Sequence, residues 1–286
     1  MIYRILFEIL MLVLLFFCLR DAWRKGWGEV GMVWAGVIFG WMLEWATIEQ
    51  LDAYEYGTFI LKVGEVPLSI GFGWGVIIYA SRLMSDASSL AEWGRPVLDA
   101  LLAVMIDLGM DVVAIRLGMW DWGRGLDYEY FGVPYPNFWA WFWVVFFFSA
   151  SSRLLLRLPG WWGRWLAPVG AIVVSTMGVL ATNSLAVDVL GPRGLEDVAV
   201  GVLLLLATIF VVVQRPRLHV ERVPLIGMWV PIAFHLYFLF FGLLVADLWR
   251  LPLALLVSVV MLGIGVWLHW PMMTELKGWL VSGRHR

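Results

Sequence analysis

Apolar residues dominate the chain in long runs, and polar residues gather in the short segments between them. Each run has about 20 residues, which is enough for a helix to cross a bilayer. Continuously apolar runs favour helices over barrel strands, which alternate over about 10 residues. We therefore predict an all-α, polytopic transmembrane helical bundle, with residues 1–286 as a single integral membrane domain. Its nine predicted spans are 2–19, 30–48, 66–84, 96–118, 137–156, 166–188, 196–213, 225–246 and 252–271.

Two of these predictions have alternatives. Only residues 248–251 separate the last two runs, so eight spans is the alternative count. The first run ends at Arg20 and Asp21, without a small-residue cleavage site. We therefore predict a retained helix there instead of a secretory signal.

Composition agrees with a membrane protein. The chain is 62% hydrophobic and 15% charged, against roughly 45–50% and about 25% in soluble domains. A net charge of −2 argues against nucleic acid as a partner. The single cysteine, Cys18, excludes an intramolecular disulfide, and the sequence has no zinc-type Cys/His cluster.

The distribution of basic residues predicts an orientation. Of the 20 lysine and arginine residues, 14 lie in the first, third, fifth and seventh connections and at the C-terminus. Cytoplasmic loops are enriched in these residues. We therefore expect the N-terminus outside and the C-terminus inside, in a bacterial or archaeal cytoplasmic membrane.

Four acidic residues fall inside or near the ends of predicted spans: Glu44, Asp99, Asp107 and Asp111. A carboxylate at mid-membrane costs roughly 2.5–3.5 kcal/mol and usually marks function. Asp107 and Asp111 are four apart and share one helix face. Two close carboxyls in a low dielectric resist ionising together, so one would keep a proton and could act as a general acid. The alternative is a structural pair, bonded to a neighbouring helix or to Arg116.

Under the predicted orientation, Glu44, Asp107 and Asp111 converge on the outer half of the bundle. Two connections, 49–65 and 119–136, lie on the same side and are rich in aromatic and acidic residues. The sequence therefore predicts one acidic, aromatic pocket there.

Two further polar residues have structural interpretations. Asp99 lies toward the inner end and is expected to be structural. Asn137 opens the fifth span and is expected to cap it, which does not exclude a pocket contact. Most of the 20 tryptophans would form interfacial belts. Those beside the acids could line the pocket and stabilise a cation with their π faces; they are Trp45, Trp74, Trp120, Trp122 and Trp141.

A string of short motifs resembles a known family. The segments that carry it are Gly40–Trp45, Tyr54–Gly57, Val66–Ile70 with Trp74, Asp107–Asp111, Gly118–Trp122, Tyr130–Pro134 and Asn137–Trp141. Over roughly residues 30–150 the chain resembles the carotenoid biosynthesis membrane proteins that include carotenoid 1',2'-hydratases of the bisanhydrobacterioruberin hydratase type. Two positions depart from the family pattern: Val112 stands where proline is usual, and Ala140 where glycine is usual.

The resemblance implies acid-catalysed addition of water to the 1',2' double bond of an acyclic carotenoid end group, a hydro-lyase activity. This chemistry needs no redox or metal cofactor. Its partners would be an apolar carotenoid, membrane lipid and other enzymes of the carotenoid pathway. Asp107 or Asp111 would be the acid, and Glu44 or the other aspartate would hold the water. The expected substrate-binding residues are Trp45, Tyr54, Tyr56, Trp74, Trp120, Trp122, Tyr130, Pro134, Asn137 and Trp141.

Three alternatives remain open from the sequence. A carotenoid or isoprenoid cyclase or isomerase would use the same acid and cation chemistry while excluding water. A non-catalytic carotenoid- or lipid-binding membrane protein would suit the aromatic residues equally well. A proton-coupled transporter would explain the acids, although no pair of Gly/Pro-broken helices in matching halves supports it.

Overall fold

The structure is a computed structural model that describes residues 2–51, 54–219 and 222–282. Asp52 and Ala53 of the first aromatic connection lie outside the described residues, as do Arg284 and Arg286 of the basic C-terminus.

Within the described ranges, nine α-helices match the nine predicted spans one for one, which confirms the helical bundle. The last two helices are separated by a single 3-10 turn, Leu248–Arg250, so the closing hairpin consists of two helices. The helices are α1 (Ile2–Lys25), α2 (Trp27–Leu51), α3 (Leu68–Asp86), α4 (Arg95–Arg116), α5 (Tyr135–Leu155), α6 (Ala167–Ser184), α7 (Glu196–Gln214), α8 (Leu225–Leu244) and α9 (Pro252–Ser282).

Seven helical segments in the described part of the chain are long and apolar enough to cross a membrane, and the chain is an integral membrane protein. The two helices outside this set are α3 and α4, which carry polar residues along their length. Most of their residues are buried. Because protein surrounds these two helices, they can carry acids that a lipid-facing helix could not.

Short elements connect the helices. The strands are β1 (Glu55–Tyr56), β2 (Lys62–Val63), β3 (Val66–Pro67) and β4 (Trp120–Asp121); β1 pairs antiparallel with β4, and β2 with β3. Two π-helical segments, Trp162–Leu166 and Leu185–Leu190, flank α6. Further 3-10 turns are Glu92–Gly94 and Gly191–Arg193.

Glycines bring α2 and α3 close together. A Cβ at Gly40 would lie 2.2 Å from the Cβ of Trp74, and one at Gly75 would lie 2.4 Å from a methyl group of Val37. Small residues at such positions let helix backbones approach in membranes. The close approach brings Trp74 onto α2 one helical turn before Glu44, which lies four residues after Gly40.

The connections 54–66 and 117–134 gather at one end of the bundle, here called the loop end. Two polar residues of α1 hold them. The Arg4 guanidinium donates to the carbonyls of Thr58 (3.3 Å) and Leu117 (3.2 Å). The Glu8 carboxylate accepts from the amide of Ile60 at 2.8 Å. The first helix therefore positions both loops.

Charged side chains cluster at the opposite end, here called the ion-pair end. Asp99 is fully buried and pairs with Arg153 at 2.6 Å. Arg153 also reaches Asp86 at 3.0 Å, and Arg82 pairs with Glu29 at 2.5 Å. These contacts tie α2, α3, α4 and α5 together, which is the structural role expected of Asp99.

Candidate active site

A cleft opens between the helices at the loop end. Its empty space, counted up to the open side, is about 490 Å³. It combines two carboxyl side chains with mostly aromatic and aliphatic walls. The lining residues are Phe7, Glu44, Tyr54, Tyr56, Ile70, Gly73, Trp74, Ile77, Met110, Asp111, Trp120, Trp122, Asn137, Trp141 and Phe234.

Three neutral donors surround the Glu44 carboxylate. Tyr56 donates its hydroxyl to Oε2 at 2.6 Å, and Tyr54 donates to the same oxygen. The indole Nε1 of Trp74 donates to Oε1 at 2.7 Å. An ionised carboxylate only accepts hydrogen bonds, so this set of donors suits a buried anion.

Strand pairing holds the two tyrosines in place. Tyr56 lies opposite Trp120 in the β1–β4 ladder, with ring centroids 6.1 Å apart. Tyr54 packs on Trp122 at 4.6 Å. Burial, followed by the charge of Glu44, raises the pKa of Tyr56 well above its ordinary value of 10.0. The Tyr56 phenol therefore keeps its proton and remains a donor.

Asp107 and Asp111 form a buried pair bridged by one amide. Nδ2 of Asn137 donates to Oδ2 of Asp111 at 2.7 Å and to Oδ2 of Asp107 at 3.0 Å. Oδ1 of Asp107 is buried and meets no donor among the described residues. An unsatisfied carboxylate oxygen is costly in a low dielectric, so this oxygen suits a proton.

Arg116 does not pair with these acids. Its Nη1 donates to the carbonyls of Val112 (2.9 Å) and Phe131 (2.8 Å), and its Nη2 donates to the carbonyl of Leu126 (3.1 Å). The guanidinium thus holds the second loop on the end of α4. Of the two partners that the structural alternative allowed, Arg116 is therefore wrong, and a neighbouring helix is correct, since Asn137 of α5 bonds both aspartates.

Asn137 has a different role from the one predicted. The N-cap of α5 is Pro134, whose carbonyl accepts a hydrogen bond from the backbone N–H of Asn137 at 3.0 Å. Asn137 lies within the first turn, and its side chain bonds the two aspartates instead of capping the helix. The N-cap prediction is therefore wrong, because the helix begins two residues earlier than the predicted span.

Aromatic rings enclose the carboxyl groups. The rings of Trp74 and Trp141 pack against each other at a tilt, with centroids 4.3 Å apart and planes at 35°. Asn137 and Trp141 are four residues apart and share one face of α5. Ring faces stabilise a nearby cation, so the walls of the cleft suit a positively charged intermediate.

Most of the sequence-predicted site residues come together in this cleft, and four do not line it. Asp107 lies behind Asp111, bonded to Asn137. Trp45 is 42% exposed because it follows the inward-facing Glu44 by one residue, roughly 100° around the helix. Tyr130 donates its hydroxyl to the Leu108 carbonyl at 3.1 Å. The fourth, at the start of α5, is Pro134.

Sequence reasoning missed several lining residues. Ile70 and Ile77 lie four residues before and three residues after Trp74, so the 3.6-residue period around Trp74 could have found them. Gly73 and Met110 instead lie three residues after Ile70 and Asp107, so they follow from the same period on those residues. Phe7 and Phe234 had no such signal, because they come from the first and eighth helices.

The described residues form an aromatic cleft with two different carboxyl sites. One is a carboxylate held by donors, and the other is a pair of acids that share one amide. Among these residues, no group of three or more His, Cys, Asp or Glu side chains is arranged to hold a metal ion.

Comparison with known proteins gives one match. The profile of a family described as carotenoid biosynthesis protein matches residues 1–208. No curated protein and no solved structure matches the chain. The matched region includes every lining residue of the cleft except Phe234.

Proposed function

Because the chain belongs to the carotenoid biosynthesis protein family and has its role in that pathway, we propose that it hydrates the 1',2' double bond of an acyclic carotenoid end group. One observation carries the proposal. An aromatic cleft is lined by Asp111, one member of the acid pair, and by the separately held carboxylate of Glu44. Hydration of an alkene requires a proton donor, a site for a carbocation and a base for water.

Asp111 is the proposed acid, since it lines the cleft and Asp107 does not. Two adjacent carboxyls that share the Asn137 donor resist carrying two charges. The pair would therefore carry one proton, which rests on Asp107 and passes to Asp111, and Asp111 then delivers it to the substrate. The sequence left either Asp107 or Asp111 as the acid, and this proposal assigns that role to Asp111.

Glu44 is the proposed base. Its three donors keep the carboxylate fixed, and its negative charge would stabilise a cation in the cleft. Trp74 and Trp141 would add their π faces, as cation–π contacts contribute about 0.5–2 kcal/mol. A water held by Glu44 would then lie beside the cation.

The proposed reaction balances as the addition of one water. Asp111 gives its proton to the less substituted carbon of the double bond, and a tertiary carbocation forms at the other carbon. The oxygen of the water bonds to that carbocation, and Glu44 accepts the proton that this oxygen releases. Transfer of that proton to the aspartate pair restores the initial state.

The departures from the family pattern lie outside the cleft. Val112 is buried and Ala140 is partly buried, and neither lines the cavity. The proposed chemistry uses only residues that match the family motifs. In the proposed orientation the cleft faces the outer half of the membrane, and the ion-pair end faces the cytoplasm.

Asp111→Asn in a lycopene-accumulating host tests the proposal. The wild-type chain should yield pigment heavier by one water, and Asp111→Asn should yield little or none. Asp188→Asn is the matched control, because Asp188 is exposed and lies outside the cleft. Hydrated product at the wild-type level from Asp111→Asn would rule out the assignment.

The same mass analysis separates the alternatives. A cyclase or isomerase would change the chromatographic behaviour of the pigment without changing its mass. A binding protein would retain pigment that is unchanged in both respects.

A further inference from the structure

A second and larger cavity lies on the membrane face of the bundle, between α1 and α8. It is a groove whose empty space, counted up to its open side, is about 1270 Å³. Its walls are apolar and include Leu10, Leu14 and Phe17 of α1 and Trp229 and Ala233 of α8. At the ion-pair end the groove closes on charged side chains.

The groove begins where the cleft ends. Phe7 and Phe234 line the floor of the cleft, and their rings meet edge to face at 6.4 Å. Leu10, about one turn beyond Phe7, and Ala233, next to Phe234, already line the groove. The two phenyl side chains therefore line the cleft and lie one helical turn or less along their helices from residues that line the groove.

The groove is long enough to hold an extended hydrocarbon chain. From Leu10 to Arg24 the helix rises about 20 Å, at about 1.5 Å per residue. Together with the cleft, this path covers most of the roughly 30 Å apolar thickness of a bilayer. An end group alone would fill only the cleft, and the remainder of a long apolar molecule would need a path of this kind.

We propose that the α1–α8 groove binds the polyene chain of the carotenoid whose end group enters the cleft, with the Phe7 and Phe234 rings moving apart to admit it. This inference rests on the proposed function. The proposed occupant of the groove is an apolar polyene, because the groove adjoins the cleft. A phospholipid would place its phosphate at Arg20 and Arg24 and its acyl chains along the same walls, without any need for the cleft.

Ala233→Trp tests the groove because it fills the space next to the two phenyl rings. The matched control is Ala181→Trp, at an exposed alanine of α6 that lines neither cavity. Wild-type and variant proteins are purified from lycopene-accumulating cells, and bound pigment per protein is measured by absorbance. Ala233→Trp should retain at least fivefold less pigment, and Ala181→Trp should retain the wild-type amount.

Turnover adds an independent measurement. For lycopene, Ala233→Trp should raise KM at least fivefold with a small change in kcat. For a ten-carbon acyclic terpene with the same end group, which needs only the cleft, kcat/KM should stay at the wild-type value. Equal losses on both substrates, or unchanged pigment retention by Ala233→Trp, would overturn the groove assignment.

A wrong groove assignment and a wrong proposed function would give different experimental results. If the wild-type protein retains lycopene without hydrating it, the hydratase proposal is wrong. The amounts of pigment bound by the wild type and by Ala233→Trp still test the groove assignment. If Ala233→Trp releases a copurifying phospholipid and keeps its pigment, the groove is a lipid site and the inference is wrong.

Discussion

Tyr56→Phe is a direct test of the role given to the Glu44 carboxylate. The change removes one hydroxyl that donates to Oε2 at 2.6 Å and leaves the ring in place. A hydrogen bond to a charged group contributes about 1.5–3 kcal/mol. If the transition state uses the charge of Glu44, kcat/KM should fall about 10- to 150-fold, since about 1.4 kcal/mol corresponds to a factor of ten.

A double-mutant cycle with Glu44→Gln isolates this interaction. A hydrogen bond from Tyr56 to a neutral amide at position 44 would contribute only about 0.5–1.5 kcal/mol, less than one to a carboxylate. Tyr56→Phe should therefore cost less than about tenfold in the Glu44→Gln background, which leaves a coupling energy of about 1 kcal/mol or more. Initial rates are measured by mass spectrometry in oxygen-labelled water, so that slow variants stay measurable. The unfolding temperature in detergent verifies that each variant is folded.

Tyr128→Phe is the matched control, because Tyr128 lies in the second loop and does not line the cleft. Its rate should equal that of the wild type. Additive effects of Tyr56→Phe and Glu44→Gln, within about 0.5 kcal/mol, would refute the carboxylate role. The raised pKa of Tyr56 gives a further expectation. A phenol with a raised pKa stays protonated to higher pH, so the donor should not be lost as pH rises from 7 to 10.0.

Three further variants test the supporting structure. Asn137→Leu removes the amide shared by the two aspartates, so kcat should fall at least about tenfold while pigment retention stays unchanged; a wild-type kcat would contradict the bridge. Glu8→Ala frees the first loop from α1, so trypsin should cleave at Lys62 faster than in the wild type, and an equal rate would refute the contact. Asp99→Ala removes the buried acid that pairs with Arg153 and leaves Arg153 paired with Asp86. The cost should therefore be smaller than the about 3–5 kcal/mol of a buried charge that loses every partner. The unfolding temperature should fall, and an unfolding temperature equal to that of the wild type would contradict the structural role of Asp99.

The helices could be predicted from the sequence because each apolar run is long and bounded by polar residues. The weakest distinction, between α8 and α9, depended on only four residues, 248–251, and still gave two helices. The side-chain directions were harder to predict. In a helix as apolar as α2, periodicity does not separate the inward face from the outward face. Trp45 was therefore grouped with Glu44, although it points away from the cleft.

The acid pair could be predicted, and a neighbouring helix was one of the two partners considered for it, but the residue that provides the bond could not be predicted. The spacing of Asp107 and Asp111 places them on one face of a helix regardless of the rest of the fold. Arg116 was the nearest basic residue in sequence and the natural partner to consider. The donor is instead Asn137, on the next helix, because α4 and α5 pack side by side. Contacts between distant segments, such as Phe7 with Phe234, leave no local pattern to read.

The contact between Glu8 and the first loop has a consequence for how the protein is made. Ile60 follows Glu8 by 52 positions. At about 5–20 residues per second, a ribosome reaches that partner about 3–10 s later. During this interval the buried acid of α1 lacks the amide that will satisfy it. The first helix therefore reaches its final set of hydrogen bonds only after α2 and the loop that follows it have been synthesised.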